Sequence, residues 1–94
     1  MKNHNYYVYI VSNEEKTIYI GVTNNLRRRI SEHKLGVFPG FSKRNHCTRL
    51  VYFQYFRDIK SAIAREKQLK GWRRQKKVEL IELTNKGWRE LEIL

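Results

Sequence analysis

The strongest constraint on the fold is a pair of short β-type runs placed directly ahead of a capped helix. Residues 6–12 (YYVYIVS) and 17–20 (TIYI) are rich in Tyr, Val and Ile, which suit a pleated, half-buried surface, and the polar stretch SNEEK lies between them. This spacing predicts an antiparallel hairpin. Thr23, Asn24 and Asn25 then offer side-chain oxygens to the first N–H groups of a helix, and Leu26, Ile30 and His33 follow at helical spacing, so a helix over 25–35 is expected, stopped by Gly36. Residues 37–49 contain Pro39, Gly40 and several basic side chains without periodicity and read as an exposed basic loop. LVYFQYF at 50–56 reads as a third strand. Asp58 can cap a helix over 59–70 that Gly71 ends, RRQKKVELIEL from Arg73 to Leu83 reads as another, and TNKGWRELEIL forms a tail. A chain of 94 residues with this order of elements, no repeat and no linker makes one domain, 1–94.

Charge narrows the partner. The formal net charge is +11, an imbalance that favours a polyanion, nucleic acid first. Residues 60–77 hold eight Lys and Arg against the single acid Glu66, so the basic surface belongs to the middle of the chain rather than to the glutamate-rich residues 78–94. An anionic membrane surface could draw on the same charge, but no segment approaches the ~18 consecutive apolar residues of a spanning helix and no signal-peptide pattern opens the chain. A soluble, cytoplasmic protein is expected. Cys47 is the only cysteine, which excludes an internal disulfide and a multi-cysteine zinc site and fits a reducing compartment. A structural role for its thiol outweighs a nucleophilic one.

The residues able to carry chemistry fall on three elements. On the 59–70 helix the apolar stripe reads Ile59, Ala62, Ile63, Leu69, and Glu66 falls on that same face. A carboxylate there costs several kcal/mol unless it is paired, protonated or bound to a cation. Spacing alone leaves an ion pair with Arg and a functional role equally open. A single Glu can anchor Mg²⁺, because that ion keeps most of its waters and accepts substrate phosphate oxygens as further ligands. On the 25–35 helix, Leu26, Arg29, Ile30 and His33 follow i, i+3, i+4, i+7 spacing, so Arg29 and His33 share one side beside the buried seam while Arg27 and Arg28 point elsewhere. An Arg on a cleft wall can clamp a phosphoryl oxygen, and a nearby His can move a proton, although Arg29 taken alone reads more often as a surface residue and a lone His33 is a weaker signal still. Tyr9 and Tyr19 share one sheet face only if the hairpin loop holds an odd number of residues, and the odd loop is the expectation. Tyr6, Tyr7, Tyr52 and Tyr55 read as half-buried packing residues.

Together these spacings resemble a known family. Tyr7-Val8-Tyr9, then Tyr19-Ile20-Gly21, Arg29 ten residues after Tyr19, His33 four further and AIAREKQLKGWRR with Glu66 are similar to the GIY-YIG nucleases, above all to the small stand-alone bacterial members. The nuclease domains of intron homing endonucleases and of the UvrC repair protein are more distant. The resemblance implies an α/β fold, a small three-stranded antiparallel sheet flanked by helices, and metal-dependent hydrolysis of DNA phosphodiester bonds with Mg²⁺ or Mn²⁺. It further implies that Tyr9, Tyr19, Arg29, His33 and Glu66 are catalytic, with Glu66 the metal ligand. The first motif departs from the family's label, since Tyr7 and Val8 stand where Gly and Ile give it its name. Asn85 is the one candidate for a polar residue that longer relatives place near the site. Gly21, lacking a Cβ, can let the strand end and its turn pass close to substrate, or can serve the turn itself.

Duplex or branched DNA is the expected partner, contacted through Arg27, Lys43, Arg44, Lys70, Arg73 and Arg74. Two other functions stay open at this level: a nucleic-acid-binding module with the nuclease fold but no useful turnover, and a basic domain that docks on a protein or ribosomal partner.

Overall fold

A computed structural model describes residues 4–93. Three strands, β1 (Tyr6–Ser12), β2 (Ile18–Thr23) and β3 (Arg49–Phe56), form one antiparallel sheet in the order β2-β1-β3. Four helices complete the α/β fold: α1 (Leu26–Leu35), α2 (Phe41–Arg44), α3 (Ile59–Gly71) and α4 (Arg74–Thr84). β2 is longer than its 17–20 run suggests, because Gly21, Val22 and Thr23 continue the ladder opposite Tyr9, Val8 and Tyr7. Gly21 is therefore a strand residue, not the end of a strand. In the hairpin loop the Asn13 side chain accepts hydrogen bonds from the backbone N–H groups of Glu15 and Thr17, both at 2.9 Å, and Lys16 takes a left-handed φ of 65°.

The central strand is buried on both faces, and its period of two divides the core. Val8 and Ile10 point with Ile20, Val51, Ala62, Leu69, Ile81 and Trp88 into a cluster beneath α3 and α4. Tyr9 and Val11 point the other way, to Leu26, Ile30, Cys47 and Leu50, beneath α1. A register shift between Ile10 and Val11 leaves Val51 as the extra residue of β3, so Val51 and its neighbour Tyr52 pack on the same side of the sheet while Leu50 packs on the other. Truncating Ile10 to Ala, with no exposed surface, should cost roughly 2–5 kcal/mol.

Local chemistry starts and stops the helices. Asn25 caps α1, its side chain accepting from Arg28 N–H at 3.0 Å, and Gly36 closes it at φ 71°. Asp58 caps α3 through Ser61 N–H at 2.9 Å, while Gly71 is its last helical residue and Trp72 its extended C-cap. Around α3, Glu66 lies about 40° from Ala62, at the border of the buried line that Ala62 and Leu69 define. Ile59 and Ile63 fall further round and stay 39% and 37% exposed, so the expected four-residue apolar stripe is narrower than its spacing suggests. Tyr55 is likewise more open than a packing residue, with its ring edge-on to Tyr7 and its hydroxyl donating to Asn5.

Residues 37–49 are not a featureless loop. They contain α2, and they bury Ser42 and Cys47. Four helical residues are too few to register as a periodic signal. The segment after α4 is also integrated. Leu91 N–H donates to the Leu50 carbonyl at 2.8 Å, the Glu90 carboxylate bridges Leu50 N–H and Lys34, and Arg27 donates to the Ile93 carbonyl. Among the described residues no helix is long and apolar enough to cross a membrane.

Candidate active site

The five-residue loop from Asn13 to Thr17 puts Tyr9 and Tyr19 on the α1 side of the sheet, because Tyr9 faces Gly21 across the ladder and Tyr19 faces Val11. Their ring centroids are 6.4 Å apart. Tyr9 has no exposed surface, and its ring lies over Gly21, where a Cβ would stand 2.5 Å from the phenol oxygen. The glycine thus makes room for the tyrosine opposite.

Helix α1 delivers Arg29 and His33 to the same phenol, one turn apart. The Tyr9 oxygen lies 2.9 Å from His33 Nε2 and accepts a long hydrogen bond of 3.5 Å from Arg29 Nη1. Arg29 is held further by Glu32 Oε1 at 3.1 Å and by the Val22 carbonyl at 3.4 Å. His33 Nδ1 lies 2.6 Å from Ser42 Oγ, which itself donates to the Cys47 carbonyl. Burial drives the titration of both rings. It pushes Tyr9 up to about 12, against the pull of Arg29, and pushes His33 down to about 4, aided by the Arg29 charge and opposed by Glu32. At neutral pH the phenol and the imidazole are both uncharged.

Phe38 roofs this cluster. Its ring centroid is 4.7 Å from that of His33, 5.9 Å from that of Tyr19 and 4.6 Å from the Arg29 guanidinium carbon. Spacing in the sequence singles out neither Phe38 nor Ser42. Both lie in the aperiodic 37–49 stretch, where no local signal distinguishes them.

Glu66 stands at the edge of the group. Its carboxylate, 16% exposed, pairs with Lys70 Nζ at 3.2 Å, and its charge contributes to the raised pKa of Tyr9. Lys70 Nζ is in turn 5.9 Å from the Tyr19 ring centroid. Among the described residues no group of three or more His, Cys, Asp or Glu could cage a metal. The donor set is one hard carboxylate beside phenolic oxygens. It fits a cation such as Mg²⁺ that keeps its waters and fills its shell with substrate oxygens, and it does not fit a zinc- or calcium-type cage.

The remaining candidates divide. Lys43 and Arg44 are exposed on α2, and Arg73 is exposed at the α4 N-cap. Arg27 and Arg74 each spend a guanidinium N–H on a backbone carbonyl, of Ile93 and Lys16, and so brace the fold as well as adding charge. Asn85 is buried away from the phenols. Its amide donates to the carbonyls of Val51 and Arg89 and accepts from Arg89 N–H, which ties the end of α4 to β3. Cys47 is fully buried with its thiol pKa pushed up by burial, an inert setting for a thiol.

Comparison with known proteins gives consistent matches. The GIY-YIG catalytic domain family matches residues 5–79. A UPF0213 protein of Haloquadratum walsbyi is 34% identical over 80 residues, covering 85% of this chain and 90% of that protein. A UPF0213 protein of Clostridium perfringens is 36% identical over 75 residues, covering 80% of this chain and 81% of its own. The solution NMR structure of a UPF0213 protein from Bacillus halodurans superposes with a TM-score of 0.59 at 29% identity, covering 92% of each chain.

Proposed function

Because the chain belongs to the GIY-YIG catalytic domain family, a family of nucleases, we propose that it is an endonuclease that hydrolyses DNA phosphodiester bonds with Mg²⁺ or Mn²⁺ held at Glu66. The observation that carries this reading is the convergence of Arg29 and His33 on the Tyr9 phenol, with Tyr19 beside it and Glu66 at the margin. When bound, the divalent cation would neutralise charge on the scissile phosphate.

The protein groups take separable parts. The Arg29 side chain is 21% exposed and can hold a phosphate oxygen while charge builds on it. Tyr19 is half-buried and reachable by water, whereas Tyr9 has no exposed surface. Tyr19 therefore orients the attacking water, and Tyr9 keeps Arg29 and His33 in register. His33, uncharged at neutral pH, is hydrogen-bonded to the Tyr9 hydroxyl at 2.9 Å and fixes where that phenol sits. Phe38 covers the imidazole and limits solvent around it.

The test is nicking of supercoiled plasmid, together with branched and single-stranded DNA, in Mg²⁺, in Mn²⁺ and in chelator. Cation-dependent cleavage that is lost in Arg29→Ala is the expected result. No cleavage of any substrate with either cation overturns the reading. The Lys70–Glu66 ion pair favours a second reading, since it neutralises the carboxylate assigned to the metal. That reading is a DNA-binding module without turnover, and salt-sensitive binding with no nicking would select it.

A further inference from the structure

Both ring nitrogens of buried His33 are engaged, and the donor in each bond can be deduced from the far end of the network. The Cys47 carbonyl can only accept, so Ser42 spends its single hydroxyl hydrogen there, at 3.2 Å. Ser42 Oγ then has only lone pairs to offer His33, so Nδ1 carries the ring hydrogen. A neutral imidazole has one N–H, which leaves Nε2 bare to accept from the Tyr9 hydroxyl. With its hydrogen committed to His33, the phenol oxygen presents lone pairs to Arg29 Nη1. All four hydrogen bonds thus run one way, from Arg29 through Tyr9, His33 and Ser42 to the Cys47 carbonyl.

We propose that Ser42 is a positioning residue that fixes His33 as the Nδ1–H tautomer and thereby keeps the Tyr9 oxygen an acceptor for Arg29. The opposite tautomer would place a hydrogen on Nε2 and force Tyr9 to accept it. The phenol hydrogen would then point at an Arg29 N–H, donor against donor, and push the guanidinium away from its place beside the phenol. The chain also ends on the Cys47 carbonyl, which can only accept, so the network offers no onward path for a proton beyond Ser42. The catalytic consequence rests on the nuclease reading above, while the tautomer does not.

Nitrogen-15 NMR of the His33 ring, assigned by loss of its signals in His33→Gln, reads the tautomer directly at neutral pH. The wild type is expected to carry the proton on Nδ1, and Ser42→Ala to shift towards Nε2–H or a mixture. Ser42→Thr, which keeps the hydroxyl, is expected to retain the wild-type pattern. In the nicking assay Ser42→Ala should lose roughly 10²-fold in kcat with little change in KM, the scale of a group misplaced by about an ångström, and Ser42→Thr should recover most of it. Wild-type protein with its proton on Nε2 overturns the proposal, even if Ser42→Ala fails to fold and whether or not the protein cleaves DNA. So does a Ser42→Ala protein that keeps the wild-type tautomer. Absence of nicking in the wild type counts against the nuclease reading alone, since the ring signals still decide the role of Ser42.

Discussion

The Tyr9 phenol occupies the space that any side chain at Gly21 would need: a Cβ there would stand 2.5 Å from its oxygen and 2.6 Å from Cζ. The two residues are cross-strand partners, and a side chain at Gly21 requires Tyr9 to move. Gly21→Ala must move the buried ring that meets Arg29 and His33. Overpacking of this kind should cost about 1–3 kcal/mol in urea denaturation and lower nicking at least as far as Tyr9→Phe does. Unchanged stability with unchanged nicking would show that the strands part easily at this point.

Glu66→Gln separates metal binding from folding. Nicking should fall by roughly two to four orders of magnitude, as when a group central to transition-state electrostatics is lost. Stability without metal should change by less than about 1 kcal/mol, because the Lys70 side chain freed by the substitution is 50% exposed and returns to water. A variant that cleaves at the wild-type rate removes Glu66 as a metal ligand. A large loss of melting temperature would make the ion pair its main role.

The buried imidazole makes the fold acid-sensitive. His33 sits at about 4 in the folded protein against an ordinary 6.5, so between those values the unfolded chain binds a proton that the folded chain does not. Its contribution is present in full above pH 6.5 and is lost as the pH falls towards 4. Denaturation midpoints at pH 7, 6 and 5 should decline more steeply for wild type than for His33→Gln. Parallel declines would place the acid sensitivity elsewhere.

Binding to duplex DNA should weaken steeply as salt rises, because neutralised phosphates release counterions. Lys43, Arg44 and Arg73 are exposed, so replacing each with Ala should reduce the slope of log affinity against log salt by about 0.9 for every phosphate that the side chain neutralised. Arg27→Ala and Arg74→Ala should also lower melting temperature, since each removes a hydrogen bond to the backbone. Affinity that is flat between low and physiological salt rules out this electrostatic mode.

How far the sequence carries depends on whether a residue's neighbours are local. Tyr9 and Tyr19 can be placed together because strand period and an odd loop decide the face, and Arg29 with His33 because four residues make one helical turn. Asn25 and Asp58 announce their helices by caps that act within three residues. Glu66 is legible as a carboxylate on a buried line, and its partner proves to be Lys70, four residues on along the same helix, rather than the Arg expected from the sequence. Ile59 and Ile63 mislead because periodicity gives a stripe but not its width. Phe38, Ser42 and the Cys47 carbonyl join the site only through tertiary folding of an aperiodic stretch, and the demand at Gly21 comes from a residue on another strand.

The central place of β1 bears on how the chain assembles. Its hairpin with β2 can close early from neighbouring residues, but the strand that covers its other edge begins only at Arg49. As translation proceeds, a ribbon rich in Tyr, Val and Ile therefore waits with one row of amides and carbonyls unpaired, open to the same ribbon of a second nascent chain. The stretch between α1 and β3 governs how long that competition lasts. Lengthening it would leave the finished fold little changed, since loop closure grows costlier only slowly with length, yet it would favour clumping during synthesis over solitary folding.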